Sequence, residues 1–367
     1  MPASPAALPA DVSDADPAPT WPEVLTALIR GEDITRESAA WAMREIMAGN
    51  AAPSQVAAFL VALRAKGETV AELHGLSQVM LENAHRIEVP GATVDIVGTG
   101  GDRHNSVNIS TMAAIVLAGA GLTVVKHGNR AASSSSGSAD VLEALGVDLS
   151  LSPEAVAQVA GDAGITFCFA NAFHPAMRHA AATRRELGVA TAFNMLGPLS
   201  NPAQPRFSAI GVADPRVAPL IAGVFAAAGR TAAVFRGRDG LDELTLSDAS
   251  DVWWVRDGEV STFTVSPEQV GLSAAPLEAL RGGDAEHNAT VVRDVISCGA
   301  GAPRDAVLLN AGIALAVAAD EAVDGQDAFI EAMGRGVVAA AEAIDSGRAT
   351  EALDRWVEAT HAARVEP

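Results

Sequence analysis

Cysteine is rare in this sequence of 367 residues. Its two cysteines, Cys168 and Cys298, each lie among apolar residues. Two isolated thiols cannot form the disulfide framework of a small secreted protein, and such thiols are usually buried in proteins of a reducing compartment. We therefore expect a cytoplasmic protein without structural disulfides.

Positive charge is scarce as well. The chain has 25 Lys and Arg against 45 Asp and Glu, which gives a net charge of −20. Proteins that bind nucleic acid normally carry a basic surface, and this composition does not provide one. We expect no nucleic-acid partner, and any phosphate site must be formed by a local cluster of basic residues.

Targeting signals and long apolar runs are also missing. The first 20 residues have neither the basic nor the apolar region of a signal peptide. Their Pro, Ala and Asp content predicts a disordered tail over residues 1–20. We find no uninterrupted apolar stretch that would span a bilayer, so we expect no membrane partner.

Helical periodicity is present over residues 21–90. Three segments repeat apolar residues at helical spacing, and Thr69 with Glu72 has the spacing of a capping box. No strand pattern interrupts them. These helices have more apolar surface than they can bury among themselves, so the surplus must pack on the rest of the chain or on a second copy.

Strand and helix patterns alternate over residues 91–367. This alternation predicts an α/β domain with a mostly parallel central sheet that is flanked by helices. A further helical stretch at about residues 174–190 is inserted among these units. The sequence thus predicts a small all-helical domain, which includes the insertion, and a large α/β domain.

The segment VDIVGTGGDRHNSVNIST, residues 94–111, raises the first functional question. An apolar strand stops at three glycines and is followed by Asp102 and several hydroxyl and amide side chains. Glycines at the carboxyl end of a strand let a ligand approach the backbone, and the next helix offers its N-terminus to negative charge. A tight turn without a ligand is the alternative. No P-loop pattern is present.

The segment KHGNRAASSSSGSAD, residues 126–140, follows the next strand. Lys126, His127 and Arg130 lie within five residues, and five serines follow. Two such loops at strand ends indicate a ligand with several phosphates. A flexible serine linker is disfavoured because structured elements bracket the segment.

The segment DGLDELTLSD, residues 239–248, is acidic. Asp239, Asp242 and Glu243 crowd together after a strand, and a hard cation such as Mg²⁺ that faces phosphates would relieve their repulsion. A solvated acidic turn is the alternative.

Arginines precede the segment FNMLGPLSNP on a predicted helix. An arginine there, such as Arg184, could hold a carboxylate through two parallel hydrogen bonds. An ordinary surface arginine is the alternative.

Together these segments resemble the anthranilate phosphoribosyltransferase family. The matching motifs are, in order, GTGGD, NIST, KHGNRAASS with GSAD, HPAM, RRELG, FNMLGPLSNP and DGLDE. The resemblance runs from about residue 21 to the C-terminus. It implies the fold of the nucleoside phosphorylases and related phosphoribosyltransferases, and a homodimer that forms through the helical domain.

The resemblance also implies a reaction. The phosphoribosyl group of 5-phosphoribosyl 1-pyrophosphate would pass to the amine of anthranilate in tryptophan biosynthesis, with Mg²⁺ required. The residues implied to bind the donor are Gly98, Gly101, Asp102, Ser106, Asn108, Ile109, Ser110, Thr111, Lys126, His127, Gly128, Asn129, Arg130, Ala131, Ala132, Ser133, Ser134 and Ser138. Those implied for anthranilate are Gly98, Asn129 and Arg184, and those for the metal are Ser110, Asp242 and Glu243.

The sequence departs from the usual family pattern in two places near the acceptor path. Asn171 stands where proline is usual, and Ala190 stands where an arginine or another residue is often found. Two other functions remain as alternatives: a pyrimidine nucleoside phosphorylase, and a non-catalytic relative that binds nucleic acid. The negative charge and the intact Asp242–Glu243 pair disfavour the second.

Overall fold

The computed structural model describes residues 18–130 and 135–364. The predicted tail at residues 1–20 therefore lies almost entirely outside the described residues. The chain first forms a bundle of four helices, which we call the helical unit: α1 Trp21–Ile29, α2 Arg36–Met47, α3 Pro53–Lys66 and α4 Val70–Glu82.

The capping box predicted at the start of α4 is present. The Thr69 hydroxyl accepts a hydrogen bond from the Glu72 N–H, and the Glu72 carboxylate accepts one from the Thr69 N–H at 2.8 Å. The sequence patterns marked three of the four helices. Helix α1 has only nine residues, which is too short for a clear apolar period, and it lies in the same unit.

A seven-stranded sheet forms the centre of the rest of the chain. Its strands are β1 Thr93–Gly98, β2 Thr123–Gly128, β3 Ile165–Phe169, β4 Phe207–Gly211, β5 Thr231–Gly237, β6 Ser250–Arg256 and β7 Glu259–Val265. Their order is β3-β2-β1-β4-β5-β6-β7, and the first five strands are parallel. The mostly parallel sheet predicted from the alternation is confirmed.

Helices cover the sheet. They are α5 Ile109–Gly119, α6 Ser138–Leu145, α7 Pro153–Ala163, α8 Ala170–Phe173, α9 Arg178–Leu187, α10 Phe193–Leu196, α11 Ala218–Ala227, α12 Ala285–Ile296, α13 Ala302–Ala318, α14 Gln326–Asp345 and α15 Arg348–Ala362. None of the helices in the described ranges is both long and apolar enough to cross a membrane.

The antiparallel edge of the sheet was not predicted in full. Strand β7 pairs with β6, which itself runs antiparallel to β5. The turn between β6 and β7 is Asp257-Gly258. Both residues have a positive φ angle, 51° for Asp257 and 80° for Gly258. An Asp-Gly pair with this geometry is a typical hairpin turn, so the sequence did contain the signal.

Two large apolar clusters hold the two sides of the sheet. One contains α5, α13, α14 and α15, which pack on each other and on β1, β4 and β5. The other joins the helical unit to α9, α10 and α11. Helix α9 packs against α2 and α3, although it comes more than a hundred residues later in the chain.

Candidate active site

The carboxyl ends of four parallel strands meet at one edge of the sheet. Strands β1, β2, β4 and β5 end at Gly98, Gly128, Gly211 and Gly237. From β1 the chain proceeds outward through β2 and β3 on one side, and through β4 and β5 on the other. This reversal leaves a crevice outside the ends of β1 and β4, where open α/β sheets bind ligands. The GTGGD loop follows β1 and so lies at this crevice.

Asp242, from the acidic turn after β5, packs directly against the ends of β1 and β4. Its carboxylate accepts a hydrogen bond of 2.6 Å from the N–H of Gly100. A Cβ on Gly98 would collide with this carboxylate, and a Cβ on Gly211 with the backbone carbonyl of Asp242. The close approach of the acidic turn therefore requires glycine at both strand ends.

Asn310 of α13 anchors the acidic turn from behind. Its side chain accepts a hydrogen bond from the N–H of Leu244 and donates one to the carbonyl of Leu244, each at 2.9 Å. Asn310 is fully buried. The residue next to Glu243 is thus fixed by both of its backbone polar groups.

Three carboxylates lie together at this edge: Asp102, Asp242 and Glu243. Burial and then the charge of Asp102 raise the pKa of Asp242 to about 7. Burial and then the charge of Asp242 raise the pKa of Glu243 well above its usual range. One oxygen of Asp102 and one of Glu243 are buried without a hydrogen-bond partner among the described residues. We call these three residues the acidic cluster.

The acidic cluster fits a magnesium ion. Mg²⁺ takes oxygen ligands, uses one or two carboxylates, and completes its shell with water or phosphate. The first turn of α5 places Ser110 beside Glu243. Within residues 18–130 and 135–364, no three His, Cys, Asp or Glu side chains are placed so that they could hold a metal ion together, so the protein would supply at most two carboxylates of this cluster. The remaining ligands would therefore have to be a hydroxyl, water or a phosphate.

Lys126 lies beneath the acidic cluster and is fully buried. Its Nζ donates hydrogen bonds to the Ile96 carbonyl at 2.6 Å and to the Ser110 hydroxyl at 3.2 Å. Burial lowers the pKa of Lys126, and the charges of nearby carboxylates oppose that shift. Lys126 thus acts on the cluster from inside the protein, and its contact with the donor remains a prediction.

His127 and His174 form a buried pair. Their ring centroids are 5.3 Å apart, and Nδ1 of His127 lies 3.0 Å from the carbonyl oxygen of Gly197. Burial lowers the pKa of His127 to about 4 and that of His174 to about 3. Both imidazoles are therefore neutral at pH 7, so His127 cannot offer a positive charge to a phosphate.

Arg130 is exposed and already paired. Its guanidinium donates to Asp140 at 3.1 Å and to both oxygens of Glu143, at 2.5 and 2.8 Å. The sequence predicted that Lys126, His127 and Arg130 form one local basic cluster. In the structure Lys126 is buried, His127 is neutral at pH 7 and Arg130 is held in exposed ion pairs, and their contact with the donor stays a prediction.

The serine-rich loop is only partly described. Asn129 is exposed at the end of β2, and Ser138 opens α6. The predicted donor residues Ala131, Ala132, Ser133 and Ser134 lie outside the described residues. A Cβ on Gly128 would meet the ring of Phe167, so glycine is needed at the end of β2 for packing.

The start of α5 divides the predicted donor residues into two groups. Ser106, Asn108 and Ser110 are half-buried at the loop and the first turn. The side chains of Ile109 and Thr111 are buried, so only their backbone groups could reach a ligand.

A segment that the sequence patterns did not mark also supports this loop. Ser106 pairs with Arg281 in an isolated bridge, and the Asn288 side chain donates to Oδ1 of Asn108 at 2.7 Å. A Cβ on Gly282 would collide with the Ser106 carbonyl. The available signal was a pair of glycines directly before the helix cap at Asp284.

Arg184 of α9 stacks on an aromatic ring. Its guanidinium lies 4.9 Å from the ring centroid of Phe193. Burial lowers its pKa, and no acidic side chain of the described ranges contributes to that shift. Arginine nevertheless stays charged at pH 7, so this guanidinium is available to a planar carboxylate.

A cavity of about 220 Å³ opens beside the GTGGD loop. Residues 99–101 line one wall, Ala190 and Asn194 line another, and Arg64 of α3 reaches it from the helical unit. Pockets for drug-sized ligands are larger, so this volume suits a single-ring molecule. Ala190 contributes only a methyl group to this cavity.

Comparison with known proteins identifies the family of the chain. A family model described as "Glycosyl transferase family, a/b domain" matches residues 90–350, and one described as "Glycosyl transferase family, helical bundle domain" matches residues 22–84. An anthranilate phosphoribosyltransferase of Nocardioides sp. is 59% identical over 93% of this chain and 99% of its own. This chain belongs to the anthranilate phosphoribosyltransferase family. The family protein of Streptomyces griseus is 58% identical over 95% of this chain and 98% of its own.

Solved structures of the anthranilate phosphoribosyltransferase family have the same fold. The crystal structure from Thermus thermophilus superimposes with a TM-score of 0.85 at 41% identity, and covers 92% of this chain and 99% of that one. The Saccharomyces cerevisiae enzyme, solved in complex with PRPP and Mg, gives a TM-score of 0.82 at 25% identity, and covers 93% of this chain and 98% of that one. The predicted fold class and family are confirmed, and neither alternative function is favoured.

Proposed function

We propose that this chain transfers the phosphoribosyl group of 5-phosphoribosyl 1-pyrophosphate to the amine of anthranilate. The products are N-(5-phosphoribosyl)anthranilate and pyrophosphate. One observation carries the proposal: in a chain of this family, the GTGGD loop, the first turn of α5 and the acidic cluster converge at the β1–β4 crevice. Sequence-distant motifs thus meet where a ligand is expected.

Asp242, Glu243 and Ser110 would hold the magnesium ion. When bound, the ion neutralises charge that develops on the departing pyrophosphate. The protein itself holds the acidic turn in place. The Asp242 carboxylate accepts a hydrogen bond from the Gly100 N–H, and Asn310 accepts one from the N–H of Leu244, the residue after Glu243. Preset groups of this kind stabilise charge without reorganising during the reaction.

Lys126 is a positioning residue in this proposal. Its ammonium group holds the Ser110 hydroxyl from the protein side, and its charge offsets the carboxylates of the acidic cluster. The Ser110 hydroxyl would therefore keep one oxygen lone pair for the metal side of the site.

The acceptor would enter through the cavity beside the GTGGD loop. Arg184 would bind its carboxylate, and Gly98 and Asn129 would complete the contact. The bond between the anomeric carbon and pyrophosphate breaks while the aromatic nitrogen bonds to that carbon and then loses a proton. An aromatic amine is neutral at pH 7, so placement and charge neutralisation can replace a strong base.

The donor would contact the remaining predicted residues. We keep in this role Gly101, Asp102, Ser106, Asn108, Ile109, Thr111, His127, Gly128, Arg130, Ala131, Ala132, Ser133, Ser134 and Ser138. Ile109 and Thr111 would use backbone groups, because their side chains are buried.

A fluorescence assay tests the function. Protein mixed with Mg²⁺, anthranilate and phosphoribosyl pyrophosphate should consume anthranilate, and EDTA should stop the reaction. If the folded protein consumes no anthranilate but cleaves thymidine or uridine by phosphorolysis, the pyrimidine nucleoside phosphorylase alternative is correct.

We further propose that two copies pair through the helical unit. Three exposed apolar side chains support this: Ile29 on α1, Val61 on α3 and Val189 just after α9. Helix α3 contacts both α1 and α9, so the three helices share one layer. Sedimentation should show a dimer, and V61E should shift it to a monomer if the layer is the interface.

The helical domain and the α/β domain would then have different functions. We propose that residues 21–90, with the helices at about 174–190, form the dimer and acceptor side, and that residues 91–367 form the donor side. Packing of α9 on α2 and α3 supports the grouping. A cytoplasmic location also remains our proposal, since both cysteines are free thiols.

A further inference from the structure

A second and larger cavity lies at the opposite end of the sheet from the acidic cluster. Its volume is about 600 Å³. Helices α2 and α4 bound it on one side, and the amino ends of β4 and β5 bound it on the other. None of the described residues assigned above to donor, acceptor or metal lines it.

Positive charge is concentrated in this cavity. Two aspartates, Asp257 and Asp320, line it together with five arginines, an excess of three positive charges. The whole chain has only 25 basic residues and a net charge of −20. We call this site the arginine cavity, after Arg36, Arg86, Arg206, Arg230 and Arg256.

Three of these arginines hydrogen-bond neutral groups. Arg36 donates to a glutamine side-chain oxygen at 2.6 Å, Arg86 to a backbone carbonyl at 3.1 Å, and Arg230 to a backbone carbonyl at 2.7 Å. No acidic side chain in residues 18–130 or 135–364 forms an ion pair with any of the three. Within these ranges none of the three is held in a direct ion pair, and only Arg230 feels a carboxylate, the buried Asp95, which acts without a hydrogen bond between them.

Arg206 and Arg256 are compensated in part. Both reach Asp320, with N–O distances of 2.5 and 3.4 Å, and Arg256 also pairs with Asp257 at 3.3 Å. The negative charges of Asp257 and Asp320 thus balance the positive charges of Arg206 and Arg256. The excess charge is left on Arg36, Arg86 and Arg230.

Arg230 is half-buried beside the cavity. Its guanidinium packs on the ring of Phe225, 5.1 Å from the centroid, and burial lowers its pKa. A partly desolvated cation whose hydrogen-bond partner is neutral is costly, and an anion would offset that cost. Like charges around one cavity add a repulsion that the same anion would remove.

We propose that the arginine cavity binds a small phosphorylated metabolite with at least two negative charges. Guanidinium groups match phosphate oxygens through paired hydrogen bonds, and one phosphate monoester brings nearly two charges where a carboxylate brings one. Arg36 comes from α2 of the helical unit, and Arg230 from the connection that leads into strand β5. The ligand therefore joins the two parts of the chain.

Calorimetric titration with inorganic triphosphate tests the proposal. The titration uses EDTA and low salt, so that no metal recruits the probe to the acidic cluster. Wild-type protein should bind one equivalent, and R36Q/R86Q should weaken binding about tenfold or more. R44Q removes another exposed arginine of α2 that does not line the cavity, and should stay within twofold of wild type.

Further measurements test which class of anion binds and whether it binds in the arginine cavity. Triphosphate should raise the Tm of wild type but not of R36Q/R86Q, and ribose 5-phosphate should bind better than tricarballylate. If the double variant fails to fold, R86Q alone should still weaken triphosphate several-fold. Unchanged affinity in R86Q, tighter binding of tricarballylate, or no binding by wild type would each overturn the proposal. Anthranilate consumption is a separate readout, so this result does not depend on the proposed transfer reaction.

Discussion

Strands β4 and β5 have opposite charge at their two ends. At the carboxyl ends, Asp242 and Glu243 are carboxylates with raised pKa values. At the amino ends, Arg206 and Arg230 open into a cavity with excess positive charge. The acidic end uses adjacent residues of one turn, whereas the arginine end uses residues scattered from 36 to 256. A short motif can therefore mark the first site, and no motif could mark the second.

The largest effect should come from breaking the acidic end. In D242N/E243Q, both proposed magnesium carboxylates become neutral, so we expect kcat/KM to fall about 10³-fold under saturating Mg²⁺. D248N, in the same acidic segment but exposed, should keep wild-type activity. Steady-state kinetics over a magnesium series measures both. Unchanged metal dependence in the double variant would remove these residues from the metal site.

The glycine contacts that seat the acidic turn can be tested by stability. The Cβ in G211A collides with the backbone of Asp242, which cannot move aside easily, so we expect about 3 kcal/mol of destabilisation. G161A is the control, because a Cβ there meets nothing within 4 Å on helix α7, and alanine should stabilise it slightly. Urea unfolding compares them, and equal stabilities would contradict the close approach.

The buried histidines at the carboxyl edge predict a pH effect of definite sign. The pKa of His174 is about 3 in the folded chain, below its usual value of 6.5, so the unfolded chain binds a proton first as the pH falls. The stability advantage of wild type over H174Q should shrink by about 1.4 kcal/mol per pH unit from pH 6 to 4. Wild type and H174Q contain the same buried acids, so their comparison removes the effect of those acids' raised pKa values on stability.

An exposed histidine provides the control for that experiment. H179Q changes a side chain on the surface of α9, and should follow the wild-type slope. A parallel pH dependence of wild type and H174Q would mean that His174 is not held neutral.

A smaller effect is expected from Arg184, the proposed partner of the anthranilate carboxylate. Arg184→Ala should raise the anthranilate KM about tenfold to a hundredfold, because a charge-assisted hydrogen bond is lost. The donor KM should change little. Arg185→Ala, its exposed neighbour, should change neither value. Equal rises in both KM values for Arg184→Ala would remove its carboxylate role.

The smallest effect should come from the arginine end. R206Q breaks an exposed ion pair with Asp320, which contributes about 1 kcal/mol at most. Without added anion, its kcat/KM should stay within about twofold of wild type. A large loss of activity would show that the two ends are coupled even before the cavity binds a ligand.

The sequence predicted most elements, because glycine stops and apolar periods are local. It did not predict how Lys126 and His127 are oriented. Both were counted as phosphate-binding cations, but sheet packing buries one and keeps the other neutral. The support from Asn288 and the convergence of the arginines depend on topology, which no local pattern encodes.

The anchoring of Leu244 by Asn310 has a thermodynamic consequence. A single amide side chain closes two main-chain bonds on the residue that follows Glu243. The turn consequently loses little conformational entropy when it binds an ion, so less of the favourable interaction free energy is offset and the affinity is higher. N310L would leave both main-chain groups unsatisfied in an apolar interior, and the entropy of ion capture would become less favourable.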